Sequence, residues 1–311
     1  MLPKNTPADI LRGSGNRFSD IVMPPQELSP VPFASRFSIE ATRPSAAEIA
    51  KLATVLPPGT EVFLSAVPNL GGDELVAAAT QLRQAGLEPV AHVAARRVAS
   101  AEALAGLLQR LAGDAGLRRL LVIGGDVEAS GPFPDALAIV QKAGLRAAGI
   151  EEIGIAAYPE GHAHIPPGRL ETALDEKIAS AVALGLKVHI VSQFSFSPER
   201  VLAWLRQLRG CGISIPVKVG MAGPTSVPAL LRYAKRCGVS ASLRGLMTGA
   251  ASGLVGHVGP ARMIAALSES AELGDIAPHY FSFGGVVETA CYACEAASLT
   301  RPSRRAMAHP N

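Results

Sequence analysis

The sequence predicts a (β/α)8 barrel, also called a TIM barrel, and three observations favour this fold class. From residue 36 onward, short β-rich runs alternate with amphipathic helical patterns. Eight such strand–helix units occupy roughly 250 residues, the usual size of this barrel. The first strand runs into Ala41-Thr42-Arg43-Pro44 and not into a glycine-rich dinucleotide turn. The alternative, an open doubly wound sheet, is therefore less favoured.

Eight segments are predicted as strands because they are short, apolar and bounded by turn residues. They are 37–41, 61–65, 88–93, 118–123, 151–157, 187–194, 215–220 and 279–283. Helices are predicted where apolar residues recur at helical spacing with charges on the opposite face. They are 46–56, 73–85, 101–113, 135–143, 169–184, 198–210, 226–237 and 260–273. Ser45, followed three residues later by Glu48, gives the first helix a capping-box pattern.

Three segments are expected to lie outside the regular strand–helix units. Residues 1–35, with four prolines between positions 24 and 32, are predicted to form an N-terminal arm that lies on the surface or covers one barrel end. The Gly- and Ser-rich segment 239–258 has a helical pattern and is predicted as an extra helix before the last strand. The barrel domain is expected over residues 36–300, followed by a flexible tail at 301–311.

Composition and charge exclude several classes of protein. The chain is 48% hydrophobic and its net charge is +3, from 29 basic and 26 acidic residues. This charge is too weak to indicate nucleic-acid binding. No apolar run approaches a membrane span, and the N-terminus has no apolar export signal. Four cysteines do not make a disulfide framework. The sequence therefore predicts a soluble, cytoplasmic, globular protein.

A metal site is not predicted. His162 and His164 are two residues apart in a loop, and no cluster of cysteines or carboxylates adds further ligands. Cys291 and Cys294 form one CxxC pair within a helical pattern. One pair supplies only half of a structural zinc site, so both cysteines are interpreted as structural.

Polar and aromatic residues lie at or just after the carboxyl ends of the predicted strands, where (β/α)8 barrels bind their ligands. In chain order they are Glu40, Ser65, His92, Gly125, Asp126, Ala157, Tyr158, His162, Gln193 and Phe194. Glu40 stands among apolar residues, which predicts a raised pKa of the kind that a general acid needs. Gly125 lets the backbone approach a flat ligand. Gln193 offers an amide to the edge of a heterocycle.

Taken together, these residues resemble the methylenetetrahydrofolate reductase family of flavin-dependent (β/α)8 barrels. The resemblance spans roughly residues 36–300 and rests on the order of the motifs. They are Ser38-x-Glu40, Ser65 at the end of strand two, His92 on strand three, Gly125-Asp126, Ala156-Ala157-Tyr158-Pro159-Glu160-x-His162 and Gln193-Phe194. The Ala-Ala-Tyr-Pro-Glu-x-His element is the most specific of these motifs.

The resemblance implies an NAD(P)H-dependent enzyme of one-carbon metabolism and methionine biosynthesis. It would interconvert 5,10-methylenetetrahydrofolate and 5-methyltetrahydrofolate by ping-pong hydride transfer through FAD, with NADH or NADPH as co-substrate. Glu40 corresponds to the general acid and Asp126 to the carboxylate that stabilises the folate cation. Glu40, Gln193 and Phe194 would contact the folate substrate. The cofactor-binding residues by carry-over are Ser65, His92, Gly125, Asp126, Ala157, Tyr158, His162 and Lys177.

Three departures from the family pattern leave alternatives open. The family's Phe-Phe-Pro-Pro after the first-strand Glu is 41–44, Ala-Thr-Arg-Pro, in this chain, and Gly124 replaces the arginine before Gly-Asp. An Asn-Arg pair after the last strand is replaced by Phe-Gly-Gly-Val at 283–286. Arg43 or Arg96 is then the candidate for the folate glutamate tail. The alternatives are a flavin-free folate-binding barrel, acting as a reductase or methyl-transfer partner, and a non-catalytic scaffold subunit. The family is also compatible with a homo-oligomer.

Overall fold

The computed structural model describes residues 33–68, 70–236 and 257–299 and contains a closed barrel of eight parallel strands. This confirms the predicted fold class. The barrel strands are β1 (Ser38–Ala41), β2 (Glu61–Leu64), β3 (Glu88–Ala94), β4 (Arg119–Ile123), β5 (Glu152–Ala157), β6 (Lys187–Ser192), β7 (Val217–Ala222) and β10 (Ile276–Phe281). They follow chain order around the ring, which closes where β10 pairs with both β7 and β1.

Helices follow the strands and cover the outside of the barrel. They are α1 (Ala46–Val55), α2 (Gly72–Gln84), α3 (Ala101–Gly113), α4 (Ala136–Lys142), α5 (Pro167–Ala183), α6 (Pro198–Gly210), α7 (Val227–Arg236), α8 (Ala261–Ser268) and α9 (Val286–Leu299). The predicted capping box of α1 is present, because Ser45 and Glu48 exchange side-chain and backbone hydrogen bonds. None of the helices in the described ranges is long and apolar enough to cross a membrane.

The last barrel strand begins three residues before its predicted start. The predicted range was 279–283, and it is preceded by Pro278, which has no backbone N–H for the strand ladder. In the structure β10 already pairs with β7 at Ile276, whereas its pairing with β1 begins only at His279. Pro278 therefore lies in a part of the strand that is paired on one side, where a proline is tolerated.

A small two-stranded sheet lies outside the regular strand–helix units. β8 (Thr225–Ser226) and β9 (His257–Val258) form an antiparallel pair apart from the barrel. The predicted extra helix at 239–258 lies outside the described residues, except for the two that form β9. Most of the predicted arm and the tail at 301–311 also lie outside them. The last arm residues form a 3-10 turn, Phe33–Ser35, in which Phe33 and Ala34 are buried against the core.

Side chains point alternately outward and inward along each strand, and they form two separate hydrophobic cores. In β2, Val62 and Leu64 point outward and join the large cluster between the sheet and the helices. Phe63 points inward and packs with residues of neighbouring strands in a smaller cluster inside the barrel. The Phe63 ring centroid lies 4.6 Å from that of His279, and Lys218 Nζ lies 5.9 Å from the Phe63 centroid. Phe63 thus separates the carboxyl-end half of the interior from the amino-end half.

The amino-end half of the barrel interior contains charged side chains. Each of them belongs to a residue at or near the start of its strand. This lower charged layer consists of Glu61, Arg119, Glu152, His189 and Lys218. Glu61 pairs with Lys218 and, at 3.0 Å, with Arg119. Glu152 accepts a bond from Arg119 Nε at 3.0 Å and lies 2.7 Å from His189 Nδ1. Burial opposes ionisation of Glu152, but His189 and Arg119 outweigh it and lower the pKa of Glu152 to about 2.

Candidate active site

Glu40, at the carboxyl end of β1, contacts two other predicted site residues. Ser65 Oγ donates a hydrogen bond to Glu40 Oε1 at 2.5 Å and lies 3.0 Å from Thr42 Oγ1. His92 Nε2, on β3, is 4.0 Å from Glu40 Oε2. The side chains of Glu40 and His92 are only 14% and 7% exposed. Three adjacent strands therefore converge on one buried carboxylate.

Two further residues of this cluster, His279 and Ser38, were missed as functional residues by sequence reasoning. His279 Nε2 lies 3.5 Å from Glu40 Oε2, and its Nδ1 lies 2.9 Å from Ser38 Oγ. Both side chains are buried. The available sequence signal was the Ser-x-Glu spacing, which puts Ser38 and Glu40 on one face of β1. His279 joins them only because the closed barrel pairs it with Ser38 in the β1–β10 register.

The expectation that Glu40 has a raised pKa is wrong. Burial acts in that direction, but the nearby His92 imidazole and the hydrogen bonds from His279 and Ser65 outweigh it and lower the pKa of Glu40. For His92 burial dominates and lowers the pKa of the imidazole. The site thus favours the carboxylate form of Glu40. Sequence neighbours of Glu40 are apolar, whereas its neighbours in space are polar.

A cavity of about 220 Å³ opens next to Ser65, between the ends of β1 and β2 and helix α2. Its lining includes Arg43, one of the two predicted cations for the folate tail, and Glu74. Arg43 Nη2 donates to the Pro68 carbonyl at 3.2 Å, and its Nε lies 4.0 Å from Glu74. Arg43 also adopts φ +48°, an unusual value for a residue with a side chain. The cavity therefore shares Ser65 with the Glu40 cluster, and Arg43 is part of its lining.

Asp126, the predicted cation-stabilising carboxylate, is bound by an arginine from the neighbouring strand end. Arg97 Nη2 donates to Asp126 Oδ1 at 2.5 Å, and the Asp126 side chain is 65% exposed. Arg96, the other candidate tail cation, donates through its backbone N–H to the Gly124 carbonyl at 3.0 Å. Its Nε donates to the Pro134 carbonyl at 2.8 Å. Two arginines that follow β3 therefore surround the Gly-Asp turn after β4.

The predicted Tyr158 and His162 meet in the loop after β5. Their ring centroids are 5.1 Å apart and their planes are 77° apart. Burial raises the pKa of Tyr158, and the charge of Arg96 partly opposes this. Burial also lowers the pKa of His162, and Arg96 acts in the same direction. The field of Arg96 therefore reaches both rings. Ala157 is buried directly before this loop.

Gln193 and Phe194 were predicted as the last residues of the sixth strand, but β6 ends at Ser192 and both residues lie directly after it. The Gln193 backbone N–H donates to the Ala157 carbonyl at 2.8 Å, and its side-chain Oε1 accepts from the Phe194 backbone at 3.0 Å. Phe194 is 1% exposed and packs edge-on against the rings of Phe281 and Phe283, at centroid distances of 5.4 and 4.9 Å. Phe194 thus forms part of an aromatic cluster at this end of the barrel.

Lys177 lies on α5, in the outer helical layer. Burial lowers the pKa of its ammonium group to about 8, although Asp135, the N-cap of α4, partly opposes this effect. The position of Lys177 follows from the amphipathic pattern of α5, in which it lies beside the buried Ile178. The helix therefore holds a cation in a largely desolvated place.

Solved structures resemble the chain only distantly. A conserved protein of unknown function from Enterococcus faecalis matches with 13% identity and a TM-score of 0.36, over 61% of this chain and 49% of that one. The chain thus spans about half of that protein's length. Dihydropteroate synthase from Thermus thermophilus matches with 14% identity and a TM-score of 0.45, over 88% and 96%. A putative phosphonomutase from Burkholderia cenocepacia matches with 13% identity and a TM-score of 0.48, over 80% and 87%.

Those matches carry no argument about family or function, whereas a family model identifies the family. The model described as methylenetetrahydrofolate reductase matches residues 45–243, which is well over half of the chain. The matched segment runs from the start of α1 beyond the end of α7. It contains Ser65, His92, Asp126 and the Tyr158–His162 loop of the site described above. The chain therefore belongs to the methylenetetrahydrofolate reductase family.

Proposed function

We propose that the protein is a flavin-dependent oxidoreductase that interconverts 5,10-methylenetetrahydrofolate and 5-methyltetrahydrofolate with NAD(P)H. Membership of the family supports a folate-related reductase. The observation that carries the proposal is the buried Glu40 carboxylate, which Ser65, His92 and His279 surround at the carboxyl end of the barrel. This position is where (β/α)8 enzymes carry out their chemistry.

Several described residues fit an anionic flavin cofactor. His92 Nε2 is buried and has no hydrogen-bond partner within the described part of the chain, so a polar ring atom would satisfy it. Gly125 adopts φ +97°, a backbone conformation that residues with a side chain rarely adopt, and it lies beside Arg96. Arg96 and the desolvated Lys177 would gain from cofactor phosphates. Ser65, Asp126, Ala157, Tyr158 and His162 complete the proposed binding set. FAD, when bound, supplies hydride transfer between NAD(P)H and the one-carbon unit.

Glu40 is the group that exchanges a proton with the folate. In the reductive direction it donates a proton to a ring nitrogen of the imidazolidine, the adjacent C–N bond breaks with its electron pair on that nitrogen, and an iminium cation remains. In the oxidative direction the Glu40 carboxylate takes this proton back as the ring closes. Gln193 would pair with the pterin edge, and Phe194 would support the folate site through the aromatic cluster.

Asp126 would stabilise the folate cation through its negative charge. Its ion pair with Arg97 weakens that field, because the guanidinium neutralises the carboxylate at close range. Asp126 therefore acts at full strength only when Arg97 turns toward another anion. Arg43, at the cavity beside Ser65, is the proposed partner of the folate glutamate tail.

Glu40→Gln tests the proposal. The variant should lose folate turnover by at least about 100-fold, the lower range of general acid–base catalysis, and retain NAD(P)H oxidation by an artificial acceptor. Bleaching of a flavin spectrum by NADH or NADPH, with recovery on adding methylenetetrahydrofolate, would identify the donor and both half-reactions. Full folate activity in the variant would contradict the proposal.

The second candidate is a folate-binding barrel without flavin, which acts as a reductase or methyl-transfer partner. It is favoured by Gly124, which stands where the family has an arginine. A Cβ at Gly124 would meet nothing within 4 Å, so packing does not require glycine there. A colourless protein that binds folate tightly but does not take up added FAD would support this candidate over the first.

A further inference from the structure

The cavity beside Ser65 has apolar walls and charged side chains at its solvent side. Its volume of about 220 Å³ is below the range of about 300–1,000 Å³ that holds drug-sized ligands, so it suits a molecule with only a few carbon atoms. The side chains of Arg43 and Glu74 are 46% and 63% exposed, whereas most of the apolar lining is buried. The apolar side chains that line the cavity are Ala41, Leu64, Leu70, Leu75 and Ala78.

The two charged groups have opposite signs and are only loosely paired. Arg43 Nε lies 4.0 Å from Glu74 Oε2, which is longer than a direct hydrogen bond. A guanidinium offers five N–H donors in a plane that matches a carboxylate, and a carboxylate accepts bonds from an ammonium group. A ligand that has a carboxylate and an ammonium group on one carbon atom would therefore satisfy both side chains at once. A ligand with two carboxylates would bring its second negative charge toward Glu74.

Arg43 is held at the cavity by an unusual backbone conformation. Within the ranges that the structure describes, it is the only residue other than glycine with a positive φ, at +48°, and the following Pro44 restricts its backbone further. Strain of this kind persists only where the surrounding structure holds it, and it is concentrated at ligand-binding sites. The fold therefore maintains a costly conformation that keeps this guanidinium at the opening of an apolar cavity.

The loop that carries Arg43 also contacts the Glu40 cluster. Ser65 has a single hydroxyl proton, which it donates to Glu40 Oε1 at 2.5 Å. Thr42 Oγ1, 3.0 Å from Ser65 Oγ, must then be the donor in that pair. Residues on either side of Thr42 line the cavity. A ligand in the cavity would thus lie directly behind the hydroxyl groups that hold Glu40.

We propose that this cavity binds a small apolar α-amino acid and that the bound amino acid inhibits the folate reaction. The ligand carboxylate binds Arg43 and its ammonium group binds Glu74. Its aliphatic side chain packs against the leucines of the cavity wall. The inhibition rests on the proposed function, because there Arg43 is also the partner of the folate glutamate tail, and one guanidinium does not serve both ligands.

Isothermal titration calorimetry of the full-length, ligand-free protein at pH 7.5 tests the site without any measurement of activity. The probes are L-valine, L-leucine and L-methionine, and at least one should bind with one molecule per chain. Analogues of the tightest probe that lack the ammonium or the carboxylate group, for L-leucine 4-methylpentanoate and 3-methylbutylamine, should bind at least about tenfold more weakly. Absence of binding by all three amino acids would overturn the proposal, as would an analogue that binds as tightly as its parent.

Two pairs of variants locate the bound amino acid. Glu74→Gln should weaken its binding by about tenfold or more. Asp73→Asn is the matched control, because Asp73 is in the same helical turn, is 90% exposed and binds Arg110 at 2.5 Å. Ala78→Leu should fill the cavity and prevent binding, whereas the control Ala77→Leu changes an exposed neighbour on α2. Equal affinities in a variant and its control would place the amino acid elsewhere and overturn the proposal.

Steady-state kinetics test the inhibition. Saturating amino acid should raise the KM for methylenetetrahydrofolate and leave kcat unchanged, and this effect should disappear in Glu74→Gln. Arg43→Gln should weaken the binding of both the amino acid and the folate. An unchanged KM in the presence of bound amino acid would overturn the inhibitory role. A protein that binds the amino acid but lacks folate turnover would instead contradict the proposed function alone.

Discussion

Arg97 Nη2 lies 2.5 Å from Asp126 Oδ1 and thus binds the carboxylate that the family resemblance assigns to cation stabilisation. The two residues come from the ends of β3 and β4, so their pairing is a product of the barrel and not of local sequence. Because the Asp126 side chain is 65% exposed, this ion pair contributes little to folding. A substitution in this pair should therefore change the reaction with little change in the free energy of unfolding.

We expect Arg97→Gln to increase kcat/KM for the folate by a few-fold, because it removes a cation that opposes the effect of the Asp126 charge on the substrate cation. Asp126→Asn should lower the same constant by on the order of tenfold or more. The double variant should behave like Asp126→Asn, since Arg97 acts through Asp126. Steady-state kinetics of the four proteins would measure this. A loss in Arg97→Gln equal to that in Asp126→Asn would show that the pair works as a unit.

The pH dependence of the reductive folate reaction should follow the lowered pKa of Glu40. A general acid must be protonated, and the protonated fraction falls about tenfold for each pH unit above its pKa. We therefore expect kcat/KM for methylenetetrahydrofolate to decrease steadily from pH 6 to pH 9, and the oxidation of methyltetrahydrofolate to lack this decrease. NAD(P)H oxidation by an artificial acceptor is the control. A reductive profile that is flat up to pH 8 would mean that Glu40 is not the acid.

Sequence reasoning identified the fold because its signals are local. Periodicity placed each barrel strand within three residues of its observed start, and the capping pattern at Ser45 marked the start of α1. It also identified Glu40, Ser65 and His92 as strand-end residues, which the closed barrel brings together.

The missed features depend on contacts between strands. The Ser38–His279 pair requires the register in which β10 closes against β1. The pKa of Glu40 was predicted in the wrong direction because the residues adjacent in sequence are apolar, whereas in space the charge of His92 on β3 and hydrogen bonds from His279 and Ser65 oppose the effect of burial. Arg97 was missed for the same reason. A single sequence contains the strand alternation but not the partner of each inward-facing side chain.

Lys177→Met should stabilise the ligand-free protein and weaken cofactor binding. Burial lowers the pKa of Lys177 from 10.5 to about 8, so the folded state disfavours the charged form. Between pH 8 and pH 10.5 Lys177 is protonated in the unfolded chain but largely neutral in the folded protein. The unfolding free energy of the wild type should therefore rise with pH across this range. The stability gain of the variant should reach at most about 3 kcal/mol below pH 8 and vanish above the unfolded pKa.

Urea unfolding at several pH values measures this gain, and FAD titration of the same samples measures cofactor retention. Lys187→Met, at an exposed lysine that begins β6, is the control for loss of one positive charge. If Lys177 contacts the cofactor phosphates, FAD affinity should fall in Lys177→Met and not in the control. Unchanged FAD affinity with increased stability would remove Lys177 from the binding set.

Glu152→Gln should destabilise the barrel from its amino end. The substitution leaves Arg119 and His189 of the lower charged layer without their shared carboxylate, and breaking such a pair costs about 3 kcal/mol. Glu151→Gln is the matched control, because the adjacent Glu151 is 59% exposed and lies 4.0 Å from Arg118. Its unfolding free energy should change by less than about 1 kcal/mol.

The pH dependence of the two variants separates a charge effect from a packing effect. The folded pKa of Glu152 is about 2, below its ordinary value of 4.5, so its contribution is complete above pH 4.5 and is lost as the pH falls toward 2. The difference in unfolding free energy between wild type and Glu152→Gln should therefore be constant from pH 5 to pH 7 and shrink below pH 4.5. A difference that persists unchanged at pH 3 would mean that Glu152 stabilises the barrel by packing and not by its charge.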